Sequence, residues 1–163
     1  QVYLSRAKVE PQYLSVMYNI CDCTISISDA EGFGLATLES LACETPIIAT
    51  MTGGLQEQVT DGENWFGIGL EPVSKAIIGS QEIPFIYEDR LSEEAVVDAL
   101  KKMHNMSKKE RAQLGKAGRE HVLKNYSPEK YAKGWEEVFD RVVEQHGSWD
   151  TRKGYKAWEL IEV

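Results

Sequence analysis

The chain has 163 residues, 42% apolar and 27% charged, with a formal net charge of −8, the size of one domain able to bury a core. That acidic balance excludes a nucleic-acid binder working through a basic surface, and no apolar run approaches the ~20 residues of a membrane span. A signal-peptide pattern is missing and three cysteines cannot pair completely, so a reducing, cytoplasmic compartment is expected.

Val2-Tyr3-Leu4 reads as a short strand. Leu14, Met17, Tyr18 and Cys21 then fall at i, i+3, i+4 and i+7, one face of a helix that starts near Pro11. Cys23 to Ser28 is short and β-branched, a strand. After a glycine-flanked turn, Leu35, Leu38, Leu41 and Ala42 keep helical spacing; Pro46 to Thr50 is a buried strand, Leu55 to Val59 a short helix, and Phe66 to Leu70 a further strand. Strand and helix alternating at these lengths predict an α/β, Rossmann-like parallel sheet with flanking helices, whose ligands lie beyond the carboxyl ends of the strands. Residues 71–90 are interrupted by Pro72, Gly79 and Pro84 and read as an insertion, with Phe85-Ile86-Tyr87 as an added edge strand.

The last third is helical. Ser92 caps a helix over 93–106 with Val96, Val97 and Leu100 inward; Ser107 and Glu110 form a capping box; Ser127-Pro128 opens a long amphipathic helix carrying Tyr131, Trp135, Val138, Phe139 and Val142. The organisation expected is a domain over 1–147 followed by a tail over 148–163, whose Trp149, Tyr155 and Trp158 need a surface to pack on.

The informative stretch is Ser28-Asp29-Ala30-Glu31-Gly32-Phe33-Gly34-Leu35-Ala36-Thr37-Leu38-Glu39. A strand ends, a turn follows, and a helix starts with its unpaired N–H groups and positive dipole end toward the strand ends, which suits an anion. Gly32 and Gly34 permit positive φ and close approach of a ligand. Glu31 and Glu39 bracket the turn, and carboxylates beside a phosphate site are favourable where they grip neutral donors such as sugar and ribose hydroxyls. Phosphates in the middle and hydroxyls at both ends is the layout of a nucleotide sugar. The plain alternative is a tight strand–helix turn with Phe33 in the core and both glutamates facing water.

With its flanks, this stretch resembles the retaining, two-domain glycosyltransferases of the group-1 family. Their Glu-x7-Glu element is matched by Glu31 to Glu39, their helix end before the strand by Tyr18-Asn19-Ile20-Cys21-Asp22, and their following run by Leu41 to Thr50, with Thr52-Gly53-Gly54 and Glu57 after it. Asp61-Gly62-Glu63-Asn64 and Arg111 to Glu120 fit as well, so the likeness runs from about Val2 to Val143 apart from the insertion. It implies the C-terminal, donor-binding half of a GT-B fold and transfer of a sugar from a UDP- or GDP-sugar to an acceptor hydroxyl of a glycan, lipid or small molecule, with retention. Glu31 is implied as the catalytic-site carboxylate holding the donor sugar. Gly32 and the backbone N–H groups of Phe33, Gly34 and Leu35 are implied to meet sugar and diphosphate, and Glu39 the ribose. Lys8 and Val9 are implied to flank the base, and Gly53 and Gly54 to wall the pocket. No cofactor and no metal are expected.

The chain departs from the family at Glu44 and Trp65, where glycine is usual, at Ala36, where proline is common, and in the length of 71–90. Residues 1–60 hold Arg6 and Lys8 against seven acidic residues, whereas diphosphate chemistry wants cations. The family carries these, and an acceptor-binding domain, ahead of the first strand. Since Gln1 is not a natural start, the chain is expected to be the C-terminal part of a longer enzyme, inactive alone. Rival readings are a non-catalytic nucleotide-binding module and a nucleotide-sugar epimerase of similar architecture. A glycosidase-like acid and nucleophile pair fails on placement, since Glu39 sits inside a helix that phosphate would approach end-on. Cys21 and Cys23 lack a second pair or nearby histidine and read as buried thiols. His104, His121 and His146 are expected at the surface. Eight basic against two acidic residues over Lys101–Lys124 read as a solvated helix face, or as a surface for an anionic membrane or acceptor.

Overall fold

The parallel sheet forms where the β-branched runs predicted it. The computed structural model describes Leu4, Arg6 and residues 8–154; the strand expected at Val2–Leu4, and Tyr155 and Trp158 of the tail, fall largely or wholly outside the described residues. The chain divides into two compact units, Gln1–Lys124 and Asn125–Val163.

In the first unit the order is α1 (Pro11–Ile20), β1 (Thr24–Ser26), α2 (Leu35–Ala42), β2 (Ile47–Thr50), α3 (Leu55–Val59) and β3 (Gly67–Leu70). Two further strands, β4 (Ser74–Ile78) and β5 (Ile86–Arg90), lead to α4 (Glu93–Asn105) and α5 (Lys108–Asn125). Strands β1, β2 and β3 pair in parallel in that order, with Ile48 opposite both Ile25 and Ile68. The central strand is buried at every residue, as a parallel strand covered on both faces must be. On one face Ile48, Ile68 and Leu70 pack with Ala99 and Met103 of α4. On the other, Thr24 Oγ1 and Ser40 Oγ lie 2.6 Å apart, joining β1 to α2. Thus α4 presents Ala99 and Met103 to the sheet, while Val97 and Leu100, expected inward, are 37% and 40% exposed: the three described strands cover a smaller arc of the helix than its apolar stripe spans.

The insertion is a hairpin, not an added edge strand of the main sheet. Among the described residues, strands β4 and β5 pair only with each other, antiparallel, from Ser74 opposite Arg90 to Ile78 opposite Ile86. Its tip turns through Phe85 at φ +63°, where a bulky L-residue is strained.

Helix signals hold. Ser92 Oγ accepts from Ala95 N, and Ser107 and Glu110 bond reciprocally, Ser107 N to Glu110 Oε2 at 2.7 Å and Glu110 N to Ser107 Oγ at 3.2 Å. Glu44, where the family resemblance expects glycine, lies at φ +60°. Beside it, Gly115 of α5 comes so near that a Cβ there would be 1.8 Å from the Glu44 carbonyl oxygen. His121 is buried rather than at the surface: its ring stacks on Phe66 at 4.3 Å and its Nε2 lies 2.8 Å from the Glu57 carbonyl oxygen.

The second unit holds α6 (Pro128–His146), capped by Ser127 Oγ accepting from Lys130 N. Tyr131, Trp135 and Phe139 form a ladder of ring contacts at 6.3 and 5.5 Å along its exposed face. No described helix is long and apolar enough to cross a membrane.

Candidate functional site

Two turns leave the carboxyl ends of neighbouring parallel strands: residues 27–34 follow β1, and residues 51–54 follow β2. They are stitched together by backbone. Gly54 N donates to the Gly32 carbonyl (3.0 Å), and the amide of the fully buried Gln58 donates from Nε2 to the Phe33 carbonyl (2.6 Å). The glycines explain the closeness. A Cβ on Gly53 would fall 1.7 Å from Glu31 O, and one on Gly54 would fall 2.7 Å from Phe33 O. Gly34, at φ +89°, heads α2 as a left-handed N-cap, and a Cβ there would meet Leu55 Cδ2 at 2.4 Å. Three of the four glycines are therefore required by the protein's own packing. Gly32 is the open one, with nothing within 4 Å of an added Cβ.

The structure thus gathers Glu31, Gly32, Phe33, Gly34, Leu35, Gly53 and Gly54 at one end of the sheet. Glu31 is half-buried, Gly34 is buried, and Phe33 and Leu35 are exposed, so Phe33 is not a core residue. The first turn of α2 carries N–H groups that no preceding helical carbonyl can take, and its dipole adds positive potential at the same place. Lys8 (exposed) and Val9 (half-buried) lie on the segment entering α1, and no hydrogen bond or ion pair among the described residues ties them to the glycine turns.

Glu39, on α2, is exposed but held. The phenol of Tyr18, at the end of α1, donates to Glu39 Oε2 at 3.0 Å. Burial first, then this hydrogen bond and the negative charge of Glu39, push the Tyr18 phenol up to about 12, so it remains a donor across the physiological range. Tyr18 is fixed from a second side, its carbonyl accepting from the buried Thr45 Oγ1 at 2.8 Å.

Sequence reasoning missed Tyr18 as a partner of Glu39, Gln58 as the strut under Phe33, and Arg90. Arg90, on β5, pairs with Asp29 Oδ2 at 2.7 Å and Glu88 Oε2 at 2.8 Å, while Asp89 N donates to Asp29 O at 2.7 Å. The hairpin is thereby anchored to the turn that carries Glu31, two residues away. The signal available in sequence was the lone arginine closing an acidic Glu88-Asp89-Arg90 run, with no indication of where it folds.

Part of the chain matches known proteins. Residues 7–74, which contain both turns, match the family model described as Glycosyl transferases group 1. A D-inositol 3-phosphate glycosyltransferase of Acidothermus cellulolyticus is 46% identical over 54 residues, 33% of this chain and 12% of that protein. The corresponding protein of Thermomonospora curvata is 41% identical over 66 residues, 40% of this chain and 15% of that one. Among solved structures, sucrose-phosphate synthase from Thermosynechococcus elongatus superposes with a TM-score of 0.63 at 25% identity, covering 85% of this chain and 29% of that one. The match thus spans between 12% and 15% of the length of these curated relatives. The fold is the α/β, Rossmann-like class expected, and the glycine turns lie within the segment matched to the group 1 glycosyltransferases.

Proposed function

We propose that this chain is the donor-binding part of a retaining glycosyltransferase, the C-terminal half of a GT-B architecture, taking a UDP- or GDP-sugar. The observation that carries the proposal is the joined pair of turns at the strand ends, with a helix N-terminus between two carboxylates. The diphosphate would lie against the first turn of α2, where N–H groups and dipole offset its charge without a metal. Glu31 would accept from hydroxyls of the donor sugar beside the carbon that reacts, and Glu39 from the ribose. Lys8 and Val9 would flank the base, and Gly53 and Gly54 the far wall. Transfer runs to an acceptor hydroxyl supplied with a preceding acceptor-binding domain, whose closure over the donor would exclude water.

Titrating the chain calorimetrically with UDP- and GDP-sugars tests this. Saturable binding of one of them, weakened in both Glu31→Ala and Glu39→Ala, is the result expected; failure of every such donor to bind would refute it. One observation favours a second reading, a nucleotide-binding module without turnover: the guanidinium that reaches the turn carrying Glu31, Arg90, is already shared by Asp29 and Glu88. Donor binding without sugar transfer, even when the acceptor domain is present, would select it.

A further inference from the structure

Glu39 is an exposed side chain with three rotatable bonds, and a free glutamate loses rotamer entropy whenever a ligand immobilises it. Here that freedom is already restricted. Tyr18 Oη donates to Oε2 at 3.0 Å, and Tyr18 is itself set by Thr45 Oγ1 on its carbonyl, at the turn that follows α2. Residues 18 and 39 come from different helices, α1 and α2, which pack against each other. An ionised carboxylate has about four acceptor sites on its two oxygens. The phenol occupies one of them and leaves Oε1 and the rest of Oε2 to other donors.

We propose that Tyr18 is a positioning residue for Glu39, holding its carboxylate ready for the vicinal hydroxyls of a ribose and so contributing to selection of ribonucleotides over deoxyribonucleotides. The inference rests on the ribose role of Glu39 proposed above. Preorganisation acts by removing an ordering cost from binding, so it strengthens ligands that use the carboxylate and is silent toward those that cannot. A phenol that merely pinned α1 to α2 would affect both kinds of ligand alike.

Two measurements on the full chain test this. The first is a spectrophotometric tyrosine titration of wild type, Tyr18→Phe, Glu39→Gln and the double variant. The wild type minus Tyr18→Phe difference should show a phenol ionising near 12, and the Glu39→Gln minus Glu39→Gln/Tyr18→Phe difference one that has moved down but stays above 10, because burial is the largest cause of the rise. A Tyr18 phenol that ionises near 10 in wild type, or that ignores Glu39→Gln, overturns the contact and the proposal, whatever binds. The second compares binding of UDP and GDP with that of their 2′,3′-dideoxy forms. Tyr18→Phe should weaken the ribonucleotide that binds by about threefold to tenfold and leave its dideoxy form within about twofold. Equal losses for both forms overturn the positioning role while leaving the donor site intact. Wild type that binds ribo and dideoxy forms equally well, or neither, overturns the ribose role of Glu39 and the inference with it.

Discussion

Gly53 lies against Glu31 so closely that a methyl group on it would fall 1.7 Å from the Glu31 carbonyl oxygen. The turn after β2 is therefore the floor on which the turn after β1 rests. Gly53 is also at φ +48°, so Gly53→Ala meets a steric and a conformational cost together. A destabilisation of about 2–4 kcal/mol is expected, measured as a shift of the urea midpoint. An unchanged midpoint would show that the two turns are not in contact.

Arg90 ties the β4–β5 hairpin to Asp29, with side chains 37% and 54% exposed. Pairs this accessible contribute little to global stability, about 0–1 kcal/mol. Arg90→Ala should therefore leave the unfolding midpoint nearly unchanged but speed amide exchange across 74–90, since the pair and the neighbouring Asp89 N–H to Asp29 bond hold the hairpin. Exchange as slow as in wild type would mean that the anchor lies elsewhere.

What was legible in the sequence is what neighbours decide. Ser92, Ser107 with Glu110, and Ser127 with Pro128 each signal a helix start within four residues, and all three caps form. Distant pairings left no such trace. His121 is buried because Phe66 and the Glu57 carbonyl come to it. Tyr18 meets Glu39 across 21 positions. The hairpin leaves Ile77, Ile78, Ile86 and Tyr87 exposed, so it lacks the apolar-in, polar-out alternation that reveals a strand. At the site, the glycine spacing located two turns but not their packing: Gly34, read as a place of ligand approach, lies against Leu55, and Gly53 and Gly54 lie against the backbone of residues 31–33.

Two groups bend the pH profile of stability in opposite limbs. Asp61 Oδ1 accepts from the backbones of Asn64 (2.7 Å) and Glu63 (3.0 Å), and these bonds, with one from the Asn64 side chain, hold its carboxyl down at about 2 against an ordinary 3.8. Its contribution is present above 3.8 and is lost as pH falls toward 2. Tyr18 is raised from 10.0 to about 12 by burial and by Glu39, so its contribution is complete below 10 and is lost as pH rises from there through 12. Unfolding midpoints against pH should show a shallower acid decline in Asp61→Ala and a shallower alkaline decline in Tyr18→Phe. Parallel profiles in variant and wild type would contradict these assignments.

The most direct test is residue-resolved amide exchange with and without saturating nucleotide sugar. If the diphosphate is held by the head of α2, the Phe33, Gly34 and Leu35 amides should slow more than any others in the chain. Slowing confined to other segments, with these three amides untouched by bound donor, would contradict the account.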